Sequence, residues 1–176
     1  MSSPESLVTP EIRAALRLGE VCGTFRYAVF PTDLERFVLG SADAGPAWAV
    51  ATPYVSGRLA VGTPAPPGAF IAYDPYERGD LDVEQYLGDI PYPATGGGNA
   101  YSDVHYTRPI RVGDDLVVEV TFTDVFEKTG RAGTLLFRTR STRYTTSPEQ
   151  GGELVATTEC AHIRAFDTTR RADGTR

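Results

Sequence analysis

The chain has 176 residues, of which 41% are hydrophobic, and its formal net charge is −6. This length suits one domain, so we expect a single domain over 1–176, with its core at about 9–166 and a polar tail at 167–176. Lys128 is the only lysine, and no basic face is evident. The composition therefore argues against nucleic-acid binding, which needs concentrated Lys and Arg side chains.

The sequence also shows no targeting, membrane or metal-binding pattern. Residues 1–5 lack a basic and apolar signal segment, and no run approaches the roughly 18 apolar residues of a membrane helix. Cys22 and Cys160 belong to no CxxC motif or Cys/His cluster. We expect two buried thiols in a reducing cytoplasm, with no metal and no cofactor.

Three elements are predicted near the N-terminus. Thr9 caps a helix that begins with Pro10 and stops at Gly19. Residues 24–30 alternate between apolar and polar, which is the period of a half-buried strand. Thr32 starts a capping box and a short amphipathic helix.

The middle of the chain, 44–100, is rich in Gly, Pro and Ala and has weak periodicity. It predicts helical turns near 69–73 and 82–87. The run Gly96-Gly97-Gly98 lacks the Lys-Ser/Thr of a P-loop and favours a flexible loop.

The second half of the chain is dominated by β-branched and aromatic runs separated by turn residues. These runs predict an antiparallel meander of four strands. A helical first half followed by consecutive strands indicates an α+β domain in which a sheet wraps around a helix. The four predicted strands are 101–111, 115–126, 134–146 and 153–165.

Four segments, in this order, resemble the MaoC-type acyl-thioester dehydratases, specifically their N-terminal, usually non-catalytic domain. They are Tyr27 to Pro46, Ala65 to Phe70, His105 to Asp114 and Gly152 to Thr158. The resemblance implies a hot-dog fold that pairs into a double hot dog. It also implies an acyl thioester, of CoA or acyl carrier protein, held at the seam for reversible hydration of a 2-enoyl group.

The catalytic Asp/His pair of that family lies in a stretch similar to Asp-x-Asn-Pro-x-His. The matching register here keeps Asp43 and Pro46 but has Trp48 at the histidine position. Because an indole donates a hydrogen bond but shuttles no proton near neutral pH, we expect no complete catalytic pair in this chain. His105 and His162, the only histidines, fall in predicted strands rather than in that loop.

The resemblance also implies substrate-binding residues. The family usually has Thr after the paired prolines, where this chain has Gly68 and Ala69. Arg108 would neutralise a carrier phosphate, although pairing with Asp114 or Asp115 is the favoured interpretation. The residues implied to bind substrate are Trp48, Pro67, Gly68, Ala69, Phe70, His105 and Arg108.

Three functional hypotheses remain open. The leading one is a substrate-channel partner of a catalytic hot-dog chain. The second is a self-sufficient homodimeric enzyme, either a lyase that uses Asp43 with another residue or a thioesterase that uses a carboxylate-activated water, since hot-dog folds host several thioester chemistries. The third is a non-enzymatic protein that binds acyl thioesters without turnover.

Overall fold

A computed structural model of the chain describes residues 6–40, 59–86, 90–130 and 133–169. Within these ranges, three 3₁₀ helices (η) accompany two α-helices and five strands. Their bounds are α1 Pro10–Leu16, β1 Val21–Ala28, α2 Pro31–Gly40, η1 Pro67–Tyr73, η2 Glu84–Tyr86, β2 Ala94–Tyr106, β3 Asp115–Gly130, β4 Gly133–Thr146, η3 Pro148–Gln150 and β5 Leu154–Phe166.

The ends of both α-helices follow from local chemistry. Thr9 caps α1 as predicted, because its hydroxyl accepts the Ile12 N–H at 3.3 Å. The helix ends before Gly19, since Arg17 already adopts the left-handed conformation at φ 47°. The predicted capping box at Thr32 is wrong, because α2 begins at Pro31 and Thr32 already lies inside the helix. Asp33 instead accepts the Phe30 N–H at 3.4 Å.

The five strands form one antiparallel sheet in the order β1-β3-β4-β5-β2. The predicted meander holds for β3, β4 and β5 but is wrong for β2, which pairs with β5. The connection from β2 to β3 crosses the end of the sheet instead of turning back. It is held there because Thr107 donates to the Val155 carbonyl and Val112 donates to Thr63.

The glycine run that predicts a loop lies inside β2, so that prediction is wrong. The strand begins at Ala94, earlier than predicted, and ends at Tyr106. A Cβ on Gly97 would lie 2.8 Å from the Ile163 carbonyl oxygen. Glycine is therefore needed for β2 to approach β5 at this point.

One face of the sheet, here called the inner face, carries the core. Alternate residues of β4, from Leu136 to Tyr144, are buried there while their neighbours are more exposed. The apolar residues form two clusters. The first contains Leu34 of α2 and Phe70 of η1, and the second contains Leu16 of α1. The helices thus cover the inner face, as expected for an α+β hot-dog fold.

Two further expectations concern the thiols and the membrane. Cys160 is buried as expected, but Cys22 is only partly buried because it lies on the edge strand β1. In the described part of the chain, every helix is too short or too polar to cross a bilayer.

Candidate functional site

The segment predicted to contact substrate forms η1, which packs against α2. A Cβ at Gly68 would lie 3.2 Å from Cζ of Phe37, so the absence of a side chain lets the two helices approach closely. The Tyr106 hydroxyl donates a hydrogen bond to the Pro67 carbonyl and fixes the start of η1 on the sheet. This glycine therefore has a packing role at the position where the resembling family has threonine.

Within η1, the predicted binding residues differ in their exposure. Ala69 and Phe70 are buried in the first apolar cluster, whereas Pro67 is exposed and Gly68 is half-buried. Ile71 presents an apolar side chain to solvent at 46% exposure. Substrate contact by these residues remains a prediction, and Pro67 offers the accessible surface.

Arg108 lies where β2 leaves the sheet, and its guanidinium is held by internal partners. It forms a bidentate pair with Asp114, with Nη1–Oδ2 at 2.9 Å and Nη2–Oδ1 at 3.1 Å. Its Nε donates to Glu153 at 3.0 Å, and the bonds to Asp114 raise the pKa of Arg108 further above its ordinary value. The structure thus pairs Arg108 with Asp114, one of the two partners that the sequence favours.

A buried polar layer separates the two apolar clusters, and sequence reasoning missed most of it. Arg140 on β4 donates from Nη1 to Asp74 Oδ2 at 2.8 Å, and both side chains are 1% exposed. Asp74 follows η1 directly and also accepts the Tyr76 N–H at 2.9 Å. Arg140 further donates to Thr142 at 3.0 Å. This layer ties the end of η1 to the centre of the sheet.

His162 on β5 belongs to the same layer. Its Nε2 lies 3.3 Å from Nε of Arg140, and its ring lies against Tyr76 with centroids 4.0 Å apart. Burial, followed by the charges of Arg140 and Arg138, lowers the pKa of His162 from 6.5 to about 4. At neutral pH the ring is uncharged and accepts at Nε2, so its proton is carried by Nδ1.

The remaining predicted positions are apart from this layer. His105 is exposed on β2, opposite Thr157 of β5, and it lies on the outer face of the sheet. Asp43 and Trp48 fall outside the residues that the structure describes, so their roles remain predictions. The structure therefore brings His162, but not His105, to the interior.

The fold and the family follow from comparison with known proteins. The model of the family described as "FAS1-like, dehydratase domain region" matches residues 18–158. The chain belongs to this family. The dehydratase family expected from the sequence is thereby confirmed. A comparison with curated proteins gives no match.

Solved structures that resemble this dehydratase-family chain share its fold at low identity. The ChsH1–ChsH2 complex from Mycobacterium tuberculosis is 17% identical over 89% of each chain, with a TM-score of 0.60. The HadBC (3R-hydroxyacyl-ACP dehydratase) complex from the same organism is 16% identical over 79% of this chain and 90% of that one, with a TM-score of 0.54. A hot-dog-like protein from Thermanaerovibrio acidaminovorans is 17% identical over 89% and 88%, with a TM-score of 0.50. The fold is a hot dog.

Proposed function

We propose that this chain is the substrate-channel partner of a catalytic hot-dog chain in a cytoplasmic acyl-thioester hydratase or dehydratase. The substrate would be a 2-enoyl or 3-hydroxyacyl thioester of CoA or acyl carrier protein. This chain contributes one hot dog and a wall of the acyl channel. The companion contributes the Asp and His that move protons.

The observation that carries the proposal is the state of the two histidines. Hydration needs a group that takes a proton from water and returns one to carbon. His105 is exposed on the outer face, and Nε2 of His162 is buried against Arg140. Trp48 stands where the resembling family has its histidine. The chain therefore offers no imidazole suited to the proton transfers.

The outer edge of β2 supports pairing with a second chain. This strand runs for 13 residues, most of them exposed, and it lies at the end of the sheet. A free edge of this length is a template for another strand. A Cβ added at Gly96 or Gly98 would meet only open space, and both have ordinary φ angles, so the fold itself does not require them. Close approach of another backbone would account for both.

The similar structures support pairing with a second chain, because ChsH1–ChsH2 and HadBC are each a complex. Two-fold pairing is also the commonest arrangement of soluble oligomers.

The proposal is tested by an assay of crotonyl-CoA hydration, in which the loss of enoyl-thioester absorbance is monitored. With the purified chain alone, the absorbance should fall no faster than in the absence of protein. Addition of the companion chain that is recovered with it should produce turnover. Turnover by the chain alone, surviving repeated purification and abolished in Asp43→Asn, would instead establish a self-sufficient lyase. Release of free thiol would identify a thioesterase.

A second test addresses the edge of β2. Gly98→Arg places a long charged side chain in open space, so the isolated chain should fold normally while recovery of the companion falls by about tenfold or more. Gly130→Arg is the matched control, because its Cβ also meets nothing within 4 Å and it lies on β3, which β4 and β5 separate from β2 in the sheet order. Equal recovery with both variants would contradict pairing through β2.

A further inference from the structure

Arg138 is a buried guanidinium whose hydrogen-bonding capacity is only partly used. Its side chain is 4% exposed and lies on the inner face of β4, opposite His162 in the register. Nη1 donates to the Val83 carbonyl at 3.2 Å, and Nη2 donates to Oε1 of Glu84 at 3.1 Å. Among the described residues, its buried Nε has no partner. A buried N–H without an acceptor destabilises the folded state, so this one needs an explanation.

The carboxylate that serves Arg138 is shared. Oε2 of Glu84 also contacts Nη1 of Arg164 at 3.2 Å. The nearby Asp74 is committed to Arg140, at 2.8 Å. Counting these ion pairs of the described residues, three guanidiniums share two carboxylates. They are Arg138, Arg140 and Arg164, with Glu84 and Asp74. The local excess is one positive charge, in a protein whose formal net charge is −6.

The shared carboxylate can leave without disturbing the core. The Glu84 side chain is 46% exposed and belongs to the short helix η2, whereas its partner Arg164 is 39% exposed. Rotation of Glu84 into solvent would open a space the size of a carboxylate between the two guanidiniums. The charged floor of that space is Arg138, which stays fixed by the Val83 carbonyl.

We propose that Arg138 and Arg164 form a binding site for a tetrahedral oxyanion, either free phosphate or a terminal phosphate monoester, which Glu84 occupies in its absence. Nε and Nη2 of an arginine lie along one edge of the guanidinium and bind two oxygens side by side. Glu84 satisfies only Nη2 of that edge, because its second oxygen is directed to Arg164. A phosphate group has an additional oxygen for Nε.

This site is separate from the η1 residues that are predicted to contact substrate. It lies on β4 and β5 beside the second apolar cluster, whereas η1 packs in the first cluster. Binding of phosphate to the chain therefore tests the site whether or not the chain has a catalytic companion.

The test is titration of inorganic phosphate into the full chain, in the assembly in which it is purified, by calorimetry and by thermal unfolding. Ionic strength is held constant with chloride. Phosphate should raise Tm where chloride does not, because a ligand that binds the folded state stabilises it. Glu84→Gln removes the competing charge and should tighten phosphate binding by about tenfold, whereas Arg164→Gln should weaken it by about tenfold.

Glu77→Gln is the matched control, since it removes an exposed carboxylate that, in the described part of the chain, pairs with neither arginine, and it should leave the affinity unchanged. Glycerol 3-phosphate in a parallel titration separates the two forms of the ligand. Binding of both compounds assigns the site to a terminal phosphate, and binding of inorganic phosphate alone assigns it to the free ion. Equal effects of phosphate and chloride, or an unchanged affinity in Glu84→Gln, would overturn the proposal. The Nε of Arg138 would then be hydrogen-bonded by water.

Discussion

Two arginine–aspartate pairs occupy contrasting regions of this molecule. Arg108 and Asp114 meet at the end of the sheet, where their side chains are 19% and 11% exposed. Arg140 and Asp74 meet between the two apolar clusters, where each is 1% exposed. The first pair joins residues close in sequence around one turn. The second joins the middle of the chain to the centre of β4.

The contrast separates local from long-range organisation. The pair at the sheet end fixes a turn, because Asp114 also accepts the Arg111 N–H at 2.8 Å. The buried pair joins η1 to the sheet at a large desolvation cost, which must be offset by its ion pair and hydrogen bonds. We therefore expect the two pairs to respond differently to mutation and pH.

The largest effect is expected from breaking the buried pair. Asp74→Ala leaves the Arg140 guanidinium buried without its counter-ion, which should lower the free energy of unfolding by about 3–5 kcal/mol. Asp74→Leu combined with Arg140→Met removes both charges and should cost less than Asp74→Ala alone. Urea unfolding at fixed protein concentration measures both. A double variant that is less stable than the single one would contradict this account.

The next effect is a pH dependence caused by His162. Its pKa falls from 6.5 in the unfolded chain to about 4 in the folded one, so the unfolded state binds more protons between these values. Stability is then fully present above pH 6.5 and should decrease by about 3 kcal/mol as the pH falls from 7 to 4. His162→Gln should flatten this part of the curve. An unchanged slope in that variant would assign the acid sensitivity to other groups.

A smaller effect is expected at the sheet end. Asp114→Ala removes a bidentate partner of Arg108 and an acceptor for one backbone N–H, and should cost about 2 kcal/mol. Glu153→Ala is the internal comparison, because it contacts the same guanidinium with a side chain that is 57% exposed. It should cost under about 1 kcal/mol, as exposed ion pairs do. Equal losses of unfolding free energy in the two variants, measured by thermal or urea unfolding, would contradict a stronger role for Asp114 than for Glu153.

The sequence predicts the sheet-end pair because its signals are local. Arg108 and Asp114 flank the turn at Gly113, whose φ of 91° favours glycine. The arginines of the buried layer are also visible in the sequence pattern, since strict alternation in β4 puts Arg138 and Arg140 on the same face as Leu136. Buried cations on an apolar face require acceptors, so a polar layer could have been inferred from this pattern.

The partners of those arginines could not be predicted in the same way. Asp74 lies in the Pro-rich middle of the chain, where periodicity is weak, and it is 66 residues away from Arg140. The glycines of β2 predict a loop because glycine has low strand propensity. Only the approach of the β5 backbone to Gly97 explains why the strand needs one there. Both features depend on tertiary contacts.

The most direct test of the partner-subunit account is native mass spectrometry of the assembly recovered through a tag on this chain in its own host. We predict a stable heteromer with a second hot-dog chain that carries the complete Asp-x-Asn-Pro-x-His stretch. A homodimer that hydrates an enoyl thioester without any other chain would contradict the account and establish a self-sufficient enzyme.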